Sequence, residues 1–136
     1  MDKIILLTVL LAGLSASAGA QDARNPIDTA MNKCLIEKQG TLPRAECYSL
    51  ASTAWDNEIT TKYSALEKLI PATLLTSFRA SQLTWLRYRD AQLGFLDKKE
   101  AGQRGSGHIA GRIIERMEVV RQRALVLNEL YDAYKP

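Results

Sequence analysis

Apolar residues recur every three or four positions along most of this chain, which is the spacing of an amphipathic helix. The clearest case is the set Trp55, Ile59, Tyr63 and Leu66, whose members follow one another at intervals of four, four and three residues. No run of alternating apolar and polar residues is long enough to predict a strand. The pattern therefore predicts an all-α fold.

Breaks in this pattern divide the chain into one short and three long helices. Asn25-Pro26 starts the short helix, because Asn is a favoured N-cap and Pro fits the first helical position, and Gly40 ends it. The predicted long helices run from about Pro43 to Leu69, from Pro71 to about Lys99, and from about Ile109 to Tyr134. Since the connections are short, we expect an antiparallel helical bundle of three long helices plus the short N-terminal helix.

The start of the chain has the pattern of a signal peptide. Met1-Asp2-Lys3 carries a positive charge, and the apolar stretch from Ile4 to Leu14 is short for a membrane span. Small residues follow, and cleavage after Ala20 is predicted, with an uncleaved anchor as the alternative. Residues 1–20 are then the signal peptide and residues 21–136 a single helical domain. We expect a periplasmic protein with no membrane span in its mature form.

The charge of the chain argues against one class of partner. The formal net charge is +3, which is mildly basic. Such a charge allows weak attraction to an anionic cell envelope, but it is too small to indicate nucleic-acid binding. Export points the same way, so we expect no nucleic-acid partner.

The two cysteines, Cys34 and Cys47, are close in sequence. In an oxidising compartment such a pair usually forms a disulfide, which is our prediction. The alternative is a metal site, but the two thiols and the lone His108 fall short of the four ligands of a structural zinc site. We expect neither a metal nor another cofactor.

The segment SQLTWLRYRDAQ, residues 81–92, interleaves aromatic and charged residues on the third predicted helix. Helical spacing places Gln82, Trp85 and Arg89 on one face. The Arg89 guanidinium can stack on Trp85, or it can bind a carboxylate on the neighbouring helix, for which Asp56 and Glu58 are the candidates.

Two interpretations of this segment remain open. It is either a helix seam whose polar network sets the register of the bundle, or a surface where Trp85, Tyr88 and the arginines contact a partner. In both, Arg87 and Asp90 are predicted to pair near the surface. Tyr88 and Phe95 are predicted to widen the apolar face of the helix.

A search for catalytic residues finds no constellation with the required spacing. A nucleophilic triad needs a base beside its nucleophile, and His108 is the one histidine. No two acidic residues stand out as a glycosidase pair, so we expect no enzyme. The glycine-rich segment before the last helix is predicted to be a flexible loop, and Gly105, Ser106 and His108 are its candidate partner contacts.

Three segments resemble a known family. They are AMNKCL (residues 30–35), WDNEITTKYSAL (residues 55–66) and SQLTWLRYRDAQ (residues 81–92), and their order and spacing resemble the lysozyme inhibitor LprI-type N-terminal domain family. The resemblance implies an exported helical protein that binds a protein partner, either a lysozyme-like enzyme or an envelope toxin. The alternative is a non-enzymatic structural or accessory protein of the envelope. The oligomeric state is left open.

Overall fold

Four α-helices form the part of the chain described by a computed structural model, residues 25–99 and 101–136. They are α1 (Pro26–Glu37), α2 (Thr41–Leu69), α3 (Ala72–Lys99) and α4 (Ser106–Tyr134). The predicted all-α bundle of one short and three long helices is confirmed. The predicted signal peptide, residues 1–20, lies outside the described residues.

The start of α1 follows the sequence signal. Asn25 Oδ1 accepts a hydrogen bond from the Ile27 backbone N–H at 2.9 Å, and Pro26 occupies the first helical position. The start of α2 differs from the prediction, because the helix begins at Thr41 rather than near Pro43. Pro43 is tolerated in the first turn, where backbone N–H groups have no partner within the helix.

The predicted loop before the last helix is too long. Gly105 has a φ of 107° and precedes the helix directly, so Ser106 and His108 lie in the first turn of α4. The Ile109 backbone N–H donates to the Gly105 carbonyl at 3.3 Å, which closes that turn. The prediction that Ser106 and His108 belong to a flexible loop was therefore wrong.

The apolar core lies mainly between α2 and α4. Trp55 and Leu66 of α2 and Met117 and Leu127 of α4 are among the largest fully buried side chains. Trp55, Ile59 and Leu66 belong to the stripe that the spacing predicts. Burying side chains of this size contributes roughly 1.5–3 kcal/mol each, so this seam accounts for much of the stability.

The short helix α1 is fastened to both long helices of the core. The predicted disulfide between Cys34 and Cys47 is confirmed, with a Cα–Cα distance of 5.8 Å, and it joins α1 to α2. Asp28 forms a buried ion pair with Arg121 of α4, in which Nη2 and Oδ2 are 2.8 Å apart. Arg121 Nε also donates to Asp28 Oδ1 at 3.0 Å.

The helix α3 is the most exposed of the long helices, and Gln82 and Leu96 are its buried residues among those described. Its contacts with α4 include ion pairs, such as Arg116 with Asp97 at 2.9 Å. The predicted widening of its buried face was wrong, because Tyr88 and Phe95 are 55% and 58% exposed. Among the described residues, no helix combines the length and apolar character needed to span a membrane.

Candidate functional site

A cleft of about 410 Å³ separates α2 from α3. Its walls combine aromatic, aliphatic and charged side chains from both helices. Those from α2 are Asp56, Ile59, Thr60 and Tyr63, and those from α3 are Arg79, Gln82, Leu83, Trp85, Leu86 and Arg89. The cleft therefore lies where the residues of the central sequence segment face the neighbouring helix.

The α3 wall of the cleft is built around Gln82, which is buried. Arg123 of α4 donates to Gln82 Oε1 from Nε at 3.1 Å and from Nη2 at 2.8 Å. These two bonds leave the NH₂ group of Gln82 directed away from Arg123. Burial lowers the pKa of Arg123, whose partner is a neutral amide. A half-buried guanidinium with this partner favours a negative or acceptor group nearby.

Trp85 lies against two guanidinium groups. Arg89 Cζ is 5.4 Å from the centroid of the Trp85 ring, and Arg123 Cζ is 5.8 Å from it. Both distances fall within the range of a cation–π contact. Trp85 is therefore held in place from both helices that adjoin it, while it remains half-buried at the cleft wall.

The charged partners of Arg89 differ from those that the sequence suggests. Arg89 Nη2 is 2.8 Å from Asp90 Oδ1, so Arg89 binds the adjacent residue rather than Asp56 or Glu58 on α2. Asp90 in turn pairs with Arg89 instead of Arg87. The cleft accounts for this difference, because it separates Arg89 from the carboxylates of α2.

An ion pair closes one end of the cleft. Arg79 Nε donates to Glu67 Oε1 at 2.8 Å, and the Tyr63 hydroxyl donates to the same oxygen at 3.1 Å. The Arg79 hydrogen bond holds the pKa of Glu67 below its usual value, and burial raises the pKa of Tyr63. Tyr63 also stacks on Phe78, with ring centroids 5.1 Å apart. This cluster joins α2 to α3.

The remaining candidate residues lie away from the cleft. Arg87 and Tyr88 are exposed and do not line it. Gly105, Ser106 and His108 lie at the start of α4, apart from the cleft walls. The structure thus brings together Gln82, Trp85, Arg89 and the carboxylate of Asp90, and it separates the other predicted contacts from them.

Two contributors to the cleft were not identified from the sequence. Arg123 carries no signal of its own, because it is one of several arginines on α4 and is 41 residues from Gln82. Arg79 and Glu67 are 12 residues apart on different helices. A predicted antiparallel hairpin of α2 and α3 about Pro71 places positions 67 and 79 at similar distances from the turn, which is the signal that was available.

A second cavity, of about 300 Å³, lies between α1 and α2 beside the disulfide. Its lining is almost entirely apolar and includes Ile27, Met31, Leu50 and Ala54. It lacks the convergent polar groups that fix the orientation of a specific ligand. In residues 25–99 and 101–136, no cluster of three or more His, Cys, Asp or Glu side chains is arranged to hold a metal ion.

The model of the family described as lysozyme inhibitor LprI matches residues 20–127. The chain belongs to the LprI family. The matched region includes both walls of the cleft and all three segments that carry the resemblance in the sequence. The resemblance to the LprI family is therefore confirmed over most of the chain.

A solved structure supports the fold of this LprI family member. An uncharacterized protein from Burkholderia thailandensis is similar with a TM-score of 0.75 and 28% sequence identity. The alignment covers 81% of this chain but 55% of that protein, so the chain spans about half of its length. No curated protein matches the chain.

Proposed function

We propose that this chain is an exported, non-enzymatic protein that binds a lysozyme, or a similar cell-wall-degrading enzyme, and inhibits it. The observation that carries this proposal is the match of the lysozyme inhibitor LprI family model to residues 20–127. Inhibition by binding requires a surface rather than catalytic groups. The α2–α3 cleft provides a surface with the mixed aromatic and charged character that is typical of protein interfaces.

The chemistry of the cleft favours a protruding side chain of the enzyme that carries an acceptor oxygen. The donors at the α3 wall are the Gln82 amide and the guanidinium of Arg89, with Arg123 behind them. Trp85 adds an aromatic surface next to these donors, which suits it to a binding hot spot. Asp56 on the opposite wall is available to a donor of the same enzyme loop.

Charge supports a local rather than a long-range attraction. Animal lysozymes are basic, and a partner with a net charge of +3 gains no long-range steering toward them. Affinity for a basic lysozyme would therefore depend on contacts within the cleft. A less basic bacterial cell-wall hydrolase would associate faster at low ionic strength.

The test is a cell-wall lysis assay with purified chain and a panel of enzymes that includes an animal lysozyme and a bacterial muramidase. We expect inhibition of at least one enzyme at micromolar concentration. If no enzyme is inhibited and none is captured from periplasm or from competing cells, the inhibitor function is wrong. A structural or accessory role in the envelope would then account for the fold.

A matched pair of variants tests whether the cleft is the contact site. Leu83 at the cleft and Val126 on α4 are 50% and 52% exposed, so glutamate at either position leaves the core intact. We expect Leu83→Glu to weaken inhibition roughly tenfold or more, which corresponds to the loss of one good interface contact. Val126→Glu should inhibit like the unmodified chain. Equal inhibition by both variants would exclude the cleft while leaving the function in place.

A further inference from the structure

A continuous uncharged stripe follows the outer surface of α3. Its positions alternate at intervals of three and four residues, which is the spacing of the seam residues in a coiled coil. All of its members are exposed. They are Leu74, Ser77, Ser81, Thr84, Tyr88, Ala91 and Phe95.

The stripe is unusual for a helix surface that faces water. Leu74, Tyr88 and Phe95 are 47%, 55% and 58% exposed, and they occupy one line along the helix because they are spaced by multiples of seven residues. The charged residues of α3 lie at other positions of the helical turn or beyond its last residue. Exposed apolar side chains aligned in this way mark an interaction surface.

Large and small residues are unevenly distributed along the stripe. The aromatic residues Tyr88 and Phe95 lie in its second half, whereas Ser77, Ser81 and Thr84 lie in its first half. In a parallel pair of such helices the aromatic residues would face their own copies, and the serines would face each other across a gap. In an antiparallel pair, the aromatic half of one helix faces the small half of the other.

We propose that the stripe is a homodimer interface, in which α3 of one copy packs antiparallel against α3 of a second copy. The second copy is the occupant that the stripe itself describes, because its pattern of large and small residues is complementary to its own reverse. The pairing buries no charged residue of the stripe, so it carries no charge-desolvation cost. The stripe is about 32 Å long at about 1.5 Å per residue, long enough for knobs-into-holes packing over three heptads.

The interface is independent of the proposed inhibition. The cleft is lined by Arg79, Gln82, Leu83, Leu86 and Arg89 on α3, and these positions are absent from the stripe. A dimer formed through the stripe therefore leaves the cleft residues outside the helix seam. Loss of dimerisation and loss of inhibition can be measured separately.

The first test is the concentration dependence of the molar mass in sedimentation. We expect the unmodified chain to form dimers, and Tyr88→Glu to be monomeric at the same concentration with unchanged helix content. Val126→Glu, at a matched exposed position on α4, should remain dimeric. A monomer at every concentration would overturn the proposal, even if Tyr88→Glu also lost lysozyme inhibition, because the stripe would then contact the enzyme instead.

The second test determines the direction of pairing by cysteine cross-linking. Both native cysteines are in the disulfide, so an introduced thiol is the reactive one. Thr84 lies near the middle of the stripe, and Thr84→Cys should link efficiently with a short bis-maleimide. Leu74→Cys should not, because an antiparallel pair places the two copies of residue 74 roughly 30 Å apart. Efficient linking through Leu74→Cys, or equal linking through the exposed Thr61→Cys of α2, would contradict the arrangement.

Discussion

The two tryptophans occupy different environments. Trp55 is fully buried between α2 and α4, with Arg121 Cζ 5.8 Å from its ring centroid. Trp85 is half-buried at the cleft wall, between Arg89 and Arg123. Trp55 is therefore a residue of the core, while Trp85 contributes both to packing and to the surface that a partner contacts.

This difference predicts unequal losses of stability. Trp55→Ala should lower the free energy of unfolding by about 3–5 kcal/mol, because the large cavity cannot collapse. Trp85→Ala should cost about half as much, since part of its ring already faces water. Urea denaturation monitored by circular dichroism measures both values. Equal losses, or a larger loss for Trp85→Ala, would contradict these assignments.

The buried ion pair of Asp28 with Arg121 is expected to be sensitive to truncation of one partner. The Asp28 and Arg121 side chains are only 6% and 13% exposed. Asp28→Ala leaves the guanidinium without this buried partner, which should cost about 3–5 kcal/mol of stability. Asp132, which pairs with Lys135 on the surface, is the control. Asp132→Ala should change the urea midpoint little, and a comparable effect of the two substitutions would count against the importance of the buried pair.

The pH dependence of stability should reflect Glu67. Its pKa is below the ordinary value of 4.5, mainly through the Arg79 hydrogen bond. The stabilisation is therefore present above about pH 4.5 and is lost as the pH falls through the lower pKa of the folded state. Melting temperatures of the unmodified chain and Glu67→Gln should differ at pH 7 and converge toward pH 3. A difference that persists at low pH would show that Glu67 acts through packing instead.

At the scale of elements, α1 depends on its covalent and ionic links to the core. It is short, several of its residues are exposed, and the disulfide closes a loop with a sequence separation of 13 residues. The Arg44 side chain adds a hydrogen bond from Nη1 to the Leu35 carbonyl at 2.9 Å. These contacts attach a helix that is too short to be stable alone.

Removal of the disulfide should therefore loosen α1 selectively. Replacing Cys34 and Cys47 by serine should cost about 3 kcal/mol, the value expected for closing a short loop in the denatured chain. Amide hydrogen exchange should accelerate in α1 by more than in α2 or α4. Uniform acceleration across all helices would show that the disulfide stabilises the bundle as a whole.

The elements were largely predictable because their signals are local. Asn25 and Pro26 specify the start of α1, and Pro71 immediately precedes α3, within one residue of the predicted start. The start of α4 was placed three residues too late because Gly105 and Gly107 both resemble breaks in a helix. Gly105, with its positive φ, is the one outside the helix, and the sequence does not distinguish the two.

The site was less predictable because it depends on how helices are arranged in space. The shared face of Gln82, Trp85 and Arg89 follows from spacing within one helix. The contact of Arg123 with Gln82 spans 41 residues, and that of Arg121 with Asp28 spans 93. Periodicity identifies an apolar face but not its neighbour, which is also why Tyr88 and Phe95 were assigned to a buried face.

At the scale of the whole molecule, the excess positive charge is concentrated on α3. This helix carries five basic and two acidic residues, whereas the net charge of the entire chain is +3. The cleft and the uncharged stripe occupy different sides of this same exposed helix. The chain can therefore be described as a stable α2–α4 core that presents α3 for interactions.

The most direct test of the proposed function is the rate of cell-wall lysis by a lysozyme at increasing concentrations of the purified chain. The account predicts that the rate falls to a low plateau near equimolar ratio when the affinity is high. Leu83→Glu should shift the curve to roughly tenfold higher concentration while Val126→Glu leaves it unchanged. A rate of lysis that the unmodified chain does not lower for any enzyme tested would contradict the central claim.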